Sequence, residues 1–193
     1  MKTILLLFVF AISTNISFAQ KSEVAARIGA GSLYQLLDVF IDATVVIASG
    51  GTTASDNYRG VSPFSISYTS NADKFISYSL EAQYVSIIRD YLDISSLSKV
   101  GTLSTSYTSI MPSINFNYLD GDIIGLSSSL GIGITYRNQE YVSVENQTNS
   151  TSRTVLAAQI DLLKFRVGKK FNVFTDIGVG TRSLITFGVG YRF

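Results

Sequence analysis

Apolar side chains occupy every second position over long stretches of this chain, and its end shows the pattern most clearly. Ile185, Phe187, Val189, Tyr191 and Phe193 alternate with small or polar residues. Successive side chains of a β-strand point to opposite faces, so a period of two predicts a strand with one apolar and one polar face. The closing stretch therefore predicts a strand whose two faces lie in different environments.

Seven earlier stretches repeat this alternation, which gives eight predicted strands in all. They cover residues 24–31, 61–68, 76–85, 110–118, 124–136, 156–162 and 171–180. Asp120-Gly121 is typical of a tight hairpin, whereas residues 90–98 and 138–152 are polar and predict exposed connections. Pro63 and Pro112 fall inside two of the strands, and because proline cannot donate to a ladder, we expect a bulge or a broken pairing at each.

One segment departs from the period of two. Between Leu33 and Ala48 apolar residues recur at spacings of three and four, and glycines follow, which predicts a short helix inserted after the first strand. Asp38 and Asp42 lie one turn apart on its polar side. Two acids at that spacing can bind a metal or serve acid–base chemistry, although unpaired acids more often solvate a helix face. We expect the helix to pack against the barrel rim or the outer leaflet.

The chain begins with the layout of a secretory signal peptide. Lys2 precedes a short apolar core, and Ser17-Phe18-Ala19 provides small residues before a cleavage site at Ala19/Gln20. Residues 1–19 are thus expected to be removed during export, which leaves residues 20–193 as a single domain. No cysteine is available for disulfides or for a lipid anchor.

The composition favours a membrane over water as the surroundings of the strands. The chain is 46% hydrophobic and only 15% charged, against about 25% charged in soluble domains. The soluble alternative, a lipocalin-like binding barrel, needs an outer face rich in charge, but the polar faces here are mainly Gly, Ser, Thr and Asn. Aromatic residues fall near strand ends, where membrane girdles are expected; these are Tyr68, Tyr84, Tyr118, Tyr136, Tyr191 and Phe193.

These observations predict an all-β, eight-stranded, antiparallel up-and-down transmembrane β-barrel with one short helix after its first strand. The export signal, the alternating strands and the terminal Phe193 together make the chain resemble the OmpA/OmpX-type outer-membrane β-barrel family of Gram-negative bacteria. The resemblance implies that the barrel assembly machinery reads the closing strand at Phe187, Tyr191 and Phe193. It also implies a location in the bacterial outer membrane, in contact with its lipid, and we expect a monomer.

The residue types weigh against several functions. Because the chain has no His and no Cys, it lacks the commonest general base, Ser-His and Cys-His nucleophile pairs and the usual zinc ligands, so we expect no enzyme, cofactor or metal. A net charge of +1 without a basic cluster argues against nucleic acid. A structural or surface-interaction role remains, with a narrow or gated pore, or an adhesin acting through its extracellular loops, as alternatives.

Five charged residues lie on the inward-facing phase of their strands, namely Arg27, Glu81, Asp161, Asp176 and Arg192. Counting along the strands places the first four at similar depth. Since an isolated charge in a confined interior costs several kcal/mol, we expect opposite charges to pair there. The sequence therefore predicts a lumen charge cluster that plugs the barrel, with Arg27 at its centre.

Overall fold

The computed structural model describes residues 22–34, 36, 53–93, 96, 98–144 and 147–193. The predicted signal peptide and its cleavage site lie outside these residues, as does most of the segment from Leu33 to Ala48. Asp38 and Asp42 are likewise outside them.

Eight antiparallel strands form one closed sheet in which each strand pairs with its sequence neighbours and the last pairs with the first. This confirms the predicted all-β, up-and-down barrel. The strands are β1 (Ser22–Ala30), β2 (Thr53–Asn71), β3 (Ile76–Asp93), β4 (Ser98–Asp120), β5 (Ile124–Ser143), β6 (Thr148–Gly168), β7 (Phe171–Gly180) and β8 (Ile185–Arg192). Ser22 and Phe193 exchange two backbone hydrogen bonds, of 3.0 and 2.9 Å, at what we call the lower end.

The two faces of the sheet differ as the alternation predicts. On β8 the outward Phe187 is 62% exposed, whereas the inward Thr186 is 1% exposed. On β4 the outward face is largely apolar from Thr108 down to Tyr118, a distance of about 25 Å along the barrel axis at the usual strand rise and tilt. The result is an apolar outer band of membrane thickness around a polar interior.

The strands are unequal in length. Whereas β2 to β6 have 18 to 23 residues, β7, β8 and β1 have only 10, 8 and 9. The topmost pair between β6 and β7 joins Gln159 to Gly180, so β6 continues upward without β7. We call the projecting part the tall wall; it comprises residues 53–61, 85–93, 98–107, 137–143 and 148–153.

The two connections predicted to be polar loops are instead largely strand, so that prediction is wrong. Residues 90–93 and 98 belong to β3 and β4, and the predicted loop 138–152 is an extended hairpin in which Asn138 pairs with Ser152 and Tyr141 with Asn149. Both faces of the sheet are polar at this height, so no apolar alternation marks the strands there.

Proline disturbs two ladders, as expected. The pairing of β2 with β3 shifts register between Val61 and Phe64, which places a bulge at Pro63. The β4–β5 ladder is interrupted after Ile110 and resumes at Ser113 in the same register, so Pro112 breaks pairing without a bulge.

The predicted inserted helix is not supported by the described residues. Leu33, Tyr34 and Leu36 have helical backbone, and the N–H of Leu36 donates to the carbonyl of Ser32 over 3.1 Å. This amounts to one turn, and no complete helix lies among the described residues. Leu33 and Leu36 are exposed, but Tyr34 is 5% exposed and enters the barrel.

Candidate functional site

The connection between β7 and β8 folds into the barrel and blocks it. Thr181, Arg182 and Ser183 are all buried, because the short β7 and β8 end far below the upper end of the barrel. Gly180 permits the inward bend: its φ is 152°, and a Cβ there would lie 2.3 Å from the carbonyl oxygen of Ala158. We call residues 181–183 the lumen plug.

Arg182 is the residue around which the buried acids gather. Its guanidinium lies 3.0 Å from Glu81, 2.5 Å from Asp161 and 3.3 Å from Asp176, measured between nitrogen and carboxylate oxygen. Each of these four side chains is at most 5% exposed. In such confinement three carboxylates need cations and hydrogen-bond donors in fixed places. Arg182 is a cation close to all three, and it donates hydrogen bonds to Glu81 and Asp161.

Arg27 provides the second cation of this central charge cluster. Its Nε lies 3.3 Å from Asp176, and its Nη1 lies 3.7 Å from Glu81 and also donates to Ser67. The guanidinium is held over the ring of Phe174 at 4.7 Å from the centroid. The structure thus brings Arg27, Glu81, Asp161 and Asp176 together, but around Arg182 rather than around Arg27.

Two glutamines hold the backbone of the plug. Gln83 donates to the carbonyl oxygens of Thr181 and Arg182, at 3.1 and 3.4 Å. Gln159 accepts from the N–H of Arg182 at 3.0 Å and donates to the carbonyl of Ser183 at 3.2 Å. These bonds satisfy backbone groups that the β-ladder cannot reach, so the plug is fixed by side chains of β3 and β6.

Arg192, predicted to belong to the lumen charge cluster, points inward but lies apart from the other four residues. It reaches Asp120 at 3.1 Å and Glu23 at 3.7 Å, near the lower end, and Arg166 also contacts Asp120 at 3.3 Å. We call Glu23, Asp120, Arg166 and Arg192 the lower charge cluster. A polar cavity of about 70 Å³ is lined by residues of both clusters and has room for only a few water molecules.

Sequence reasoning missed Lys164 and Arg166 because a bulge in β6 reverses its phase. The β6–β7 register shifts between Asp161 and Leu163, so Lys164 and Arg166 point inward, where Lys164 donates to Asn115 at 3.0 Å. The sequence does carry a signal of this reversal. Leu156, Ile160 and Leu162 fall on even positions, whereas Leu163, Phe165 and Val167 fall on odd positions.

Arg182 was missed for a different reason. It belongs to a three-residue polar connection, and strand alternation says nothing about where a connection points. The signal available was the shortness of that connection and the glycine that precedes it.

An aromatic cluster covers the plug from above. Tyr34 stacks on Tyr107 with ring centroids 4.2 Å apart and donates to Thr135 at 2.5 Å, and Val85 and Ile87 pack beside the rings. Burial raises the pKa of the Tyr34 phenol above its ordinary value, and its hydrogen bonds offset only part of that effect. The phenol is therefore a neutral donor at physiological pH.

The predicted assembly residues form part of the outer apolar band. Phe187, Tyr191 and Phe193 are 62%, 41% and 61% exposed and point away from the lumen. The ring of Tyr191 lies 4.9 Å from that of Phe171 on β7 and 6.2 Å from that of Phe193.

Among the described residues, no group of three or more His, Cys, Asp or Glu side chains is placed to hold a metal ion. In the same part of the chain, no helix is long and apolar enough to cross a membrane.

No protein-family model matches the sequence, and no curated protein sequence matches it. Solved structures do match in fold. Ail, the attachment invasion locus protein of Yersinia pestis, aligns with a TM-score of 0.53 and 16% identity, over 91% of this chain and 100% of Ail. A structure of Ail with the heparin analogue sucrose octasulfate aligns with a TM-score of 0.51 at the same identity and coverage.

The N-terminal β-barrel domain of Pseudomonas aeruginosa OprF aligns more loosely, with a TM-score of 0.43 and 14% identity over 90% of this chain and 97% of that domain. At these identities the likeness to Ail concerns the fold alone: this chain is an eight-stranded antiparallel barrel similar in architecture to Ail.

Proposed function

We propose that the protein is an integral β-barrel of the bacterial outer membrane whose tall wall stands outside the cell and contacts external ligands or surfaces. The observation that carries this proposal is the position of the apolar outer band. The band covers the part of the barrel that all eight strands share, and the outward residues become polar where the tall wall begins, at Asn138 and Glu140 on β5. A membrane would therefore surround the closed barrel and leave the wall in water.

The filled interior of the barrel favours a role at the cell surface and argues against a wide pore. The lumen plug, the central charge cluster and the Tyr34–Tyr107 stack occupy successive levels of the interior. An eight-stranded barrel is just wide enough for its own side chains to fill. The likeness to Ail, an attachment invasion locus protein by name, agrees with a surface-interaction role.

A narrow or gated pathway is the second candidate, because a polar cavity lies between the central and the lower charge clusters. Single-channel recording separates the two functions. A plugged barrel gives no large steady conductance, whereas long-lived openings in the wild-type protein would favour the pathway.

The surface role is tested by trimming the tall wall. Residues 139–151 are replaced by a two-residue turn between Asn138 and Ser152, which are paired across β5 and β6 and so keep the register of both strands. Cells that display the wild type or the trimmed barrel are then compared for binding to immobilised polysaccharides and matrix proteins.

We expect the trimmed barrel to sediment with the outer membrane and to change its gel mobility on boiling, as the wild type does, but to lose binding. Equal binding by both proteins would show that the wall has no such role. Recovery of the wild type as a soluble periplasmic protein would contradict the membrane location.

A further inference from the structure

The inner face of the tall wall carries two arginines in direct opposition. Arg137 on β5 and Arg153 on β6 are partners across the antiparallel pair, and both lie on the inward phase of their strands. Side chains at such positions have their Cβ atoms about 5 Å apart, and like charges there destabilise the sheet. Two arginines facing each other here therefore cost stability unless an anion neutralises them.

No described acid neutralises this pair. Neither arginine forms an ion pair with a described carboxylate, and the inward residues of the wall on β4, β5 and β6 include no Asp or Glu. Glu140 lies on the opposite phase of β5, so it points away from the inner face. Elsewhere on the wall Asp90 does neutralise Arg59 and Lys99, at 2.8 and 2.7 Å.

Arg137 is held in place, but a hydrogen-bond donor of its guanidinium has no partner among the described residues. Its guanidinium lies over the ring of Tyr107, 5.9 Å from the centroid, and Tyr107 in turn stacks on Tyr34. The Nε of Arg137 is shielded from solvent and has no hydrogen-bond partner among the described residues. A fixed guanidinium with unused donors is suited to an incoming anion.

Neutral polar groups continue the surface above the two arginines. Gln139 pairs with Thr151, and Tyr141 pairs with Asn149, on the same inner face. Arg153, Thr151 and Asn149 are exposed, and β7 ends below them at Gly180. Amide, hydroxyl and phenol groups beside a cation pair match a ligand that carries both hydroxyl groups and negative charges.

We propose that Arg137 and Arg153 form a binding site for an acidic saccharide bearing sulfate or carboxylate groups, with the neighbouring polar side chains contacting its hydroxyls. The inference rests on the proposed function, because it needs the tall wall to face the outside of the cell. The anion removes the repulsion between the two arginines, and each guanidinium can bind one anionic group through two parallel hydrogen bonds.

Titration calorimetry of the detergent-solubilised full barrel with sucrose octasulfate tests the site, with sucrose and inorganic sulfate as separate probes. We expect saturable binding of the sulfated sugar. Binding of sucrose and of sulfate should each be at least about tenfold weaker, since sucrose offers only hydroxyl groups and sulfate only negative charge. R153Q should weaken binding of the sulfated sugar about tenfold, and R137Q/R153Q should weaken it further.

R59Q is the matched control, since it removes the same charge from the same wall but from an arginine already paired with Asp90. It should stay within about twofold of the wild type, as expected for loss of a long-range screened charge. Heat-dependent gel mobility establishes that each variant is folded.

Equal weakening by R153Q and R59Q, or no binding of the sulfated sugar by the folded wild type, overturns the site. If the wild type nevertheless lies in the outer membrane and binding to immobilised matrix proteins depends on the tall wall, only this inference fails. If the wild type is not in the outer membrane, the proposed function fails as well.

Discussion

Arg182 donates a hydrogen bond to Glu81 over 3.0 Å, with 4% and 5% of the two side chains exposed, although 101 residues separate them in the chain. This contact joins the connection between two short strands, β7 and β8, to the long strand β3. It therefore ties the plug to the wall of the barrel.

Replacing Arg182 by Ala is predicted to destabilise the barrel by about 3–5 kcal/mol, because it leaves three buried carboxylates without their shared cation. Arg59→Ala is the matched control: its bond to Asp90 is as short, 2.8 Å, but the Arg59 side chain is 56% exposed, so the loss should stay below about 1 kcal/mol. Urea unfolding in lipid vesicles, followed by circular dichroism and gel mobility, measures the unfolding free energy of each variant. Similar losses for the two variants would contradict the burial argument.

The reversal of phase in β6 predicts opposite environments for two adjacent residues. The variants Leu163→Cys and Lys164→Cys are each labelled with a fluorophore. Spin-labelled lipid should quench the fluorescence of the label at position 163 but not of the label at position 164, since Lys164 faces the lumen and contacts Asn115. The native chain has no cysteine, so each label reports one site. Quenching of Lys164→Cys with protection of Leu163→Cys would mean that the bulge is absent.

Much of the barrel could be predicted from the sequence, and the failures have physical causes. The lower halves of the strands separate an apolar from a polar environment, so residues such as Phe187 and Thr186 alternate visibly. Above Tyr136 both faces meet polar surroundings, and the extended hairpin from Asn138 to Ser152 leaves no such trace. Pairing along that hairpin depends on backbone hydrogen bonds, which sequence periodicity does not record.

The candidate site was harder to predict than the fold. Arg27, Glu81, Asp161 and Asp176 could be placed inward because they lie on regular strands. Arg182, which joins the acids, lies in a connection whose direction depends on three-dimensional packing against Gln83 and Gln159. The pairing of Arg137 with Arg153 likewise depends on a register that the sequence does not reveal.

The Tyr34 phenol is predicted to stabilise the barrel in a pH-dependent way. Tyr34→Phe keeps the stack on Tyr107 but loses the hydrogen bond to Thr135, which should cost about 1 kcal/mol. Because burial raises the pKa of Tyr34 in the folded state, this contribution is complete below the ordinary phenol pKa of 10.0 and declines as the pH rises through and beyond it.

The measurement is the difference in unfolding free energy between wild type and Tyr34→Phe at about pH 8 and about pH 11, on either side of the ordinary phenol pKa. Tyr118→Phe serves as control, because Tyr118 bonds to Ser128 at 2.7 Å but is 65% exposed. A wild-type advantage over Tyr34→Phe that grows at high pH would contradict the assignment.

The closing strand is predicted to direct assembly. Replacing Tyr191 and Phe193 together with Ala should leave unassembled, protease-sensitive protein in cells, if the assembly machinery reads these aromatics. Phe171→Ala is the matched control, since Phe171 is 80% exposed on the adjacent strand and its ring contacts that of Tyr191. Equal levels of folded barrel for both variants, judged by heat-dependent gel mobility, would show that the closing aromatics carry no signal.

The orientation of the barrel in the membrane is tested most directly by labelling intact cells with a membrane-impermeant maleimide. Asn149→Cys places the target on the tall wall, and Asn71→Cys places it at the lower end, close to Ser22. We predict that Asn149→Cys is labelled on intact cells, whereas Asn71→Cys is labelled only after the outer membrane is permeabilised. Labelling of Asn71→Cys on intact cells with protection of Asn149→Cys would contradict a tall wall that faces the outside.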